Sequence, residues 1–186
     1  MAKIGLTNFR YGVLTEATDG TPTYGGPLTP GKAVSCTVDI TNNDASLYAD
    51  DALAESDTSF ANGTVTMGID DADLTTMSNL LGHTLSDGVM TRAADDVAPY
   101  VGLGRIVTKM VSNAQKFKVE FLYKVKFSEP SQDNQTKGES VEFSTTEIQG
   151  TVAALANGKW SVTKEFDTKS AALTYLEGLL GTTPSN

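Results

Sequence analysis

The chain's single histidine and single cysteine, its paired acids and one glycine-rich step are the residues whose types could do chemistry. A nucleophilic pair or a zinc site would have to rest on His83 and Cys36 alone, whereas a structural zinc takes four ligands and a catalytic one takes three. Cys36 falls in register with Val34, Val38 and Ile40, which marks it as a small apolar residue. His83 follows a glycine that ends a helix pattern and reads as structural. Asp50-Asp51, Asp70-Asp71-Ala72-Asp73 and Asp95-Asp96 suggest hard cations, but none has the Asp-x-Asp-x-Asp-Gly spacing of a calcium loop. Asp71 or Asp73 is placed to cap a helix, and the other acids read as solvated loop charge. Gly102-Leu103-Gly104-Arg105 is half of a dinucleotide fingerprint, yet a strand pattern follows it where a helix is required, and no GK[ST] occurs. No catalytic signature emerges, and the sequence reads as a non-enzyme with no metal and no cofactor.

The elements that must position any site are mostly strands. Alternation places Val34, Cys36, Val38 and Ile40 on one face of residues 33–40, and Val65, Met67 and Ile69 on one face of residues 63–70. In residues 118–127 the same pattern puts Val119, Phe121, Tyr123, Val125 and Phe127 together. Shorter strands are predicted over 100–111, 139–155 with a break or bend at Gly150, and 159–165. Asn157-Gly158 between the last two favours a two-residue type I′ hairpin. A helix is predicted over 73–82, with Leu74, Met77 and Leu81 on its stripe and Gly82 as its stop. A second begins at Asp167 or Thr168 and runs to about Leu180, with Ala172, Leu176, Leu179 and Tyr175 inward. These elements predict an α+β fold dominated by antiparallel sheet, a sandwich or partial barrel with a flanking helix.

Three stretches resist assignment and read as loops: residues 15–31, rich in Gly, Pro and Thr; residues 41–62, acidic and polar; and residues 128–138. Loops beyond about 12–15 residues are uncommon in compact domains and usually functional. At 186 residues a single domain with a self-sufficient core is expected. Fourteen bases against 23 acids give a net charge of −9, which argues against tight, counterion-driven nucleic-acid binding. The longest apolar run, residues 152–156, falls far short of the roughly 20 residues that cross a membrane. The N-terminus has no apolar core of a signal peptide. Residues 39–96 hold twelve acids and one base, whereas residues 103–127 hold six bases and one acid. Such asymmetry suits either differently charged faces or head-to-tail contact between copies.

Several segments in order carry a family resemblance: residues 5–12 (GLTNFRYG), 47–55 (LYADDALAE), 63–71 (GTVTMGIDD), 100–105 (YVGLGR), 122–130 (LYKVKFSEP), 136–145 (TKGESVEFST), and 148–152 (IQGTV) followed by 166–168 (FDT). In these the chain resembles the major tail proteins, or tail tube proteins, of long-tailed bacteriophages of Gram-positive hosts. The resemblance implies one tail tube domain over residues 1–186, with an N-terminal arm and a long assembly loop around 41–62. It implies a virion structural protein, made in the host cytoplasm, whose hexameric rings stack into a hollow tube. Its partners would then be other copies of itself and other tail proteins, with DNA passing through without tight binding and no membrane involved. On that reading Leu47, Tyr48, Asp50, Asp51, Leu53 and Phe60 are ring-stacking candidates. Alternation offers Thr64, Thr66, Asp70, Glu142, Ser144 and Thr146 as lumen-facing candidates. An alternative is a monomeric β-sandwich module that binds glycan or a cell surface, and a further one is a small hydrolase using carboxylates. Trp160, the only tryptophan, lies in a strand and reads as core rather than as a glycan platform.

Overall fold

A computed structural model describes residues 2–49, 52–112, 114–131 and 145–181, with the side chains of all but 2–3, 45–49 and 52–57. The elements in chain order are β1 (Ala2–Glu16), β2 (Pro22–Tyr24), β3 (Ala33–Ala49), β4 (Ala52–Ile69), α1 (Leu74–Leu81), β5 (Thr84–Ser86), β6 (Val89–Thr91), β7 (Tyr100–Val111), β8 (Ala114–Phe127), β9 (Thr146–Val152), β10 (Ser161–Phe166) and α2 (Lys169–Leu179). Among the described residues, β2-β1-β7-β8-β9-β4-β3 follow one another in a single sheet, β10 joins it at β8, and β5 and β6 form a separate hairpin. All pairings are antiparallel, and the fold is α+β and sandwich-like.

Alternation does what the sequence implies in the middle of the sheet. Val65, Met67 and Ile69 of β4 are fully buried, as are Ile148 and Val152 of the neighbouring β9. Phe9 and Tyr11 of β1 and Val101 and Leu103 of β7 belong to the same core, and Met77, Leu80 and Leu81 of α1 pack into it. Each such side chain contributes about 1.5–3 kcal/mol by leaving water. Arg105 on β7 donates to Cys36 Sγ on β3 at 2.9 Å, although those strands stand far apart in the sheet order. The sheet therefore curls until β3 comes back close to β1 and β7. Cys36 and Val38 pack against that core, but Val34 is the extra residue of a bulge between Ala33 and Ser35 and is exposed, as is Ile40, so only part of the predicted apolar face is covered.

Strand β8 departs from its predicted pattern. Val101 pairs with Val125 but Leu103 pairs with Leu122, so one extra residue is inserted in β8 near Tyr123-Lys124. A bulge of this kind reverses the side-chain parity beyond it. Val119 and Phe121 consequently face α2, with Tyr123 packed against that same cluster, while Leu122, Val125 and Phe127 face the main core. The five residues expected on one face are divided between two.

The second cluster forms where Ala172, Leu176 and Leu180 of the C-terminal helix, at i, i+4 and i+8, cover Ile106, Val119 and Phe121. Gly102 and Gly104 allow this close approach: a methyl at Gly104 would collide with Leu176 Cδ1, and one at Gly102 with the rings of Tyr24 and Phe121. The apparent half-fingerprint is a packing device. Both helices are capped as their sequences suggest. Asp73 Oδ1 accepts from Thr76 N at 2.6 Å, and left-handed Gly82 donates to Ser78 O at 2.8 Å. Thr168, not Asp167, caps α2. Leu74 is exposed, so the buried stripe of α1 begins at Thr76 and Met77.

Four further expectations are corrected. The N-terminus is no arm: β1 pairs along β7 from Ala2 to Val13. Residues 41–62 are no loop, because β3 and β4 continue as paired strands to Ala49 and Ala52. Their polar residues fall on both faces, which removes the alternation by which a strand is recognised. Strand β9 runs through Gly150 without a break. Strands β9 and β10 do not form a hairpin, since both pair with the same edge of β8, β10 at Phe117–Leu122 and β9 at Val125–Phe127. Between them Leu155 donates to Lys159 O at 2.8 Å and only Gly158, with φ 81°, is left-handed. That is a type I turn closed by a left-handed glycine rather than a type I′ turn.

Candidate assembly surface

The outward face of β3, β4 and β9 is set by the same registers that bury their apolar residues. Ser35, Gly68 and Glu147 lie side by side across the three strands, followed by Thr37, Thr66 and Gln149, then Asp39, Thr64 and Thr151. Ser35 Oγ occupies the space over Gly68 that a Cβ would fill. The flanking residues of β3 and β9 in these rows are exposed. The face carries hydroxyls, one amide and the carboxylates of Asp39 and Glu147, and its third row continues onto β8 with Lys126 beside Thr151.

This arrangement sorts the lumen-facing candidates. Thr64 and Thr66 stand on the polar face as predicted. Thr146 does not: it shares the parity of buried Ile148, Gly150 and Val152, and the exposed residues of β9 are Glu147, Gln149 and Thr151. Asp70 lies just past the end of β4, where its Oδ1 accepts from the amides of Lys32 at 2.7 Å and Asp71 at 2.9 Å. It is a turn-forming carboxylate, and the Lys32 and Asp71 amides hold its pKa below the usual range of an aspartate. Glu142 and Ser144 lie outside the described residues.

Strand β9 accompanies β4 only as far as Gly63, opposite Val152. Beyond that point β3 and β4 continue alone as a two-stranded ribbon, from Asn42 opposite Phe60 to Ala49 opposite Ala52. At a rise of about 3.3 Å per residue it extends roughly 25 Å from the sheet. Register shifts beside Thr41 and Leu47 put one extra residue each into β4, which increases the ribbon's twist. Asp44 and Thr58 are opposite each other, and Thr58 Oγ1 donates to Asp44 Oδ1 at 2.8 Å. At the root Phe60 stacks on Trp160, with ring centroids 4.8 Å apart and planes 4° from parallel. Phe60, proposed from sequence as a stacking contact, is thus engaged within its own chain, and Trp160 is covered rather than offered as a platform. The backbone of Leu47, Tyr48 and Leu53 lies in the ribbon, Asp50 and Asp51 fall outside the described residues, and the side chains of all five are not described.

Along its other edge β3 has no hydrogen-bonded partner strand among the described residues, although β1 comes close to it, so backbone groups there are left without strand pairing. The basic stretch of residues 103–127, one half of the charge asymmetry in the sequence, is largely neutralised inside the chain. Arg105 and Lys118 share Glu120, Lys109 pairs with Glu165, Lys116 with Asp167, and Lys124 with Glu16. Lys126 stands over the ring of Tyr100. Burial pushes the Glu120 carboxyl up, but Lys118 and Arg105 outweigh it and hold the group ionised. Burial likewise pushes the Cys36 thiol up, against the opposing pull of Arg105, so it is a poor nucleophile.

No group of three or more potential ligands for a metal ion occurs among the described residues. No described helix is long and apolar enough to cross a membrane. Known protein families provide no model that matches the chain, and no curated protein matches it.

Proposed function

We propose that this protein is a self-assembling structural subunit whose rings stack into a hollow tube, as the resemblance to phage tail tube proteins implies. The observation that carries the reading is the continuity of three features on β3 and β4: an outward polar face, an unpartnered edge and a ribbon projecting past the sheet. An open edge of such length is an aggregation hazard in a monomer and a ready contact in an assembly. Edge pairing between copies extends the polar face into a closed wall when the rotation between subunits closes. A wall rich in hydroxyls and carboxylates, with Lys126 as its one base at the β8 margin, does not retain DNA, because retention requires clustered cations against phosphates. The ribbon, clear of its own sheet, is placed to reach the next ring. In this reading the protein is a virion tail component, made in the host cytoplasm, with no catalytic role and with tail proteins as its other partners.

Negative-stain electron microscopy over a range of protein and salt concentrations tests the proposal, with rings or hollow tubes expected. The companion variant joins Asn43 directly to Ser59 through Asn-Gly, a turn that suits this cross-strand pair. It keeps Phe60 on Trp160 and is expected to fold while losing stacked tubes. Particles that stay monomeric at every concentration, or tubes unchanged in the shortened variant, would count against the reading.

A further inference from the structure

His83, left without a role by the assembly surface, is held between two carboxylates from distant parts of the chain. Its Nδ1 lies 2.7 Å from Asp96 Oδ2 and its Nε2 lies 2.8 Å from Glu129 Oε2, with the side chain 9% exposed. A neutral imidazole has one N–H, and an ionised carboxylate only accepts. Both contacts are therefore satisfied together only by the imidazolium.

The surroundings reinforce this. From the connection between β6 and β7, Asp96 Oδ2 also accepts from Ala93 N at 2.9 Å. From the chain leaving β8, Glu129 uses its other oxygen to accept from Arg92 Nε at 2.8 Å. The contact from α1 is uncharged, Ser78 Oγ donating to the His83 carbonyl at 2.6 Å. Asp96 is doubly held and mostly buried, whereas Glu129 is 45% exposed. When the proton is lost, the remaining N–H stays with Asp96 and the contact to Glu129 fails. Hydrogen bonds to Asp96 and then Glu129 hold the imidazole above its ordinary range, against desolvation.

We infer that His83 is a protonation-dependent clasp which fastens the chain leaving β8, through Glu129, to the end of α1 and the entry to β7. The clasp stands independently of the tube reading. It neighbours the polar face, because Ser128, next to Glu129, donates its amide to Gln149 O on β9 at 2.9 Å.

The test is a two-bond 1H–15N spectrum of the labelled full chain from pH 5 to 10, in which the only histidine gives the only imidazole signals. The expected result is an imidazolium pattern that persists above 6.5, the ordinary histidine value. The amides of Ala93, Ser128 and Glu129 are expected to titrate with the ring. In Glu129→Gln, whose side chain is exposed enough to leave folding intact, the midpoint falls and the Ser128 amide no longer follows. A neutral ring at pH 6.5, a ring that titrates without those amides, or an unchanged midpoint in Glu129→Gln would overturn the inference.

Discussion

Replacing Phe60 and Trp160 by alanine, singly and together, asks whether the ribbon is rooted in its own chain. The two rings are stacked at 4.8 Å, and each is partly rather than fully buried. A fully buried aromatic costs about 3–5 kcal/mol when truncated to alanine, so a partly buried one costs roughly 2 kcal/mol. In a domain of this size that lowers Tm by about 4–8 °C. Stacked aromatic pairs add about 0.5–1.5 kcal/mol beyond their buried area, which sets the coupling expected in a double-mutant cycle. The assay is thermal and urea unfolding followed by far-ultraviolet circular dichroism, which does not depend on tryptophan emission, under conditions that keep the chain monomeric. Each single variant should lose stability, and the double variant should lose less than the two losses added. Zero coupling together with a Phe60→Ala monomer as stable as the parent would refute the rooting. If that same variant also failed to assemble, Phe60 would belong to a contact between chains, as its sequence position first suggested.

Two further outcomes follow from packing and protonation. Gly104→Ala places a methyl against Leu176, a buried side chain with little room to yield, and should cost about 1–3 kcal/mol; calorimetry of Gly104→Ala, Leu176→Ala and the double variant should show partial rescue. Stability should also depend on pH through His83: its folded-state affinity for a proton is raised, so its contribution is complete below 6.5 and declines as pH rises through the higher folded value. Denaturation midpoints from pH 6 to 9 should fall in the parent and fall less in Glu129→Gln.

What could be read from sequence was whatever local periodicity encodes. The buried face of β4, the Asp73 cap and the Gly82 stop all follow from residues within a few positions of one another. The Tyr123-Lys124 bulge was invisible because both sides of it are apolar, and only the partner register reveals the inserted residue. The ribbon was hidden for the opposite reason, having no apolar face to betray its period. β1 escaped notice because its pattern is broken at Asn8, whose φ of 56° marks a shift in register. The polar face was half legible: Thr64 and Thr66 follow from β4 alone, but placing Glu147, Gln149 and Thr151 beside them needed the parity of β9. Nothing local links His83 to Glu129, since the fold alone brings them together.

The order in which the strands pair also bears on how the chain matures. Ala2 finds its place opposite Met110, and Gly63 opposite Val152, so β1 has only the short β2 beside its C-terminal end until β7 has been made. The β3–β4 hairpin, whose strands are adjacent in the chain, is complete far earlier. Sheets built from such distant pairings fold slowly, because chain closure must precede the contacts that reward it. The nascent protein thus exposes its ribbon before it has a core, and on the tube reading this is the stage at which pairing between copies would compete with folding.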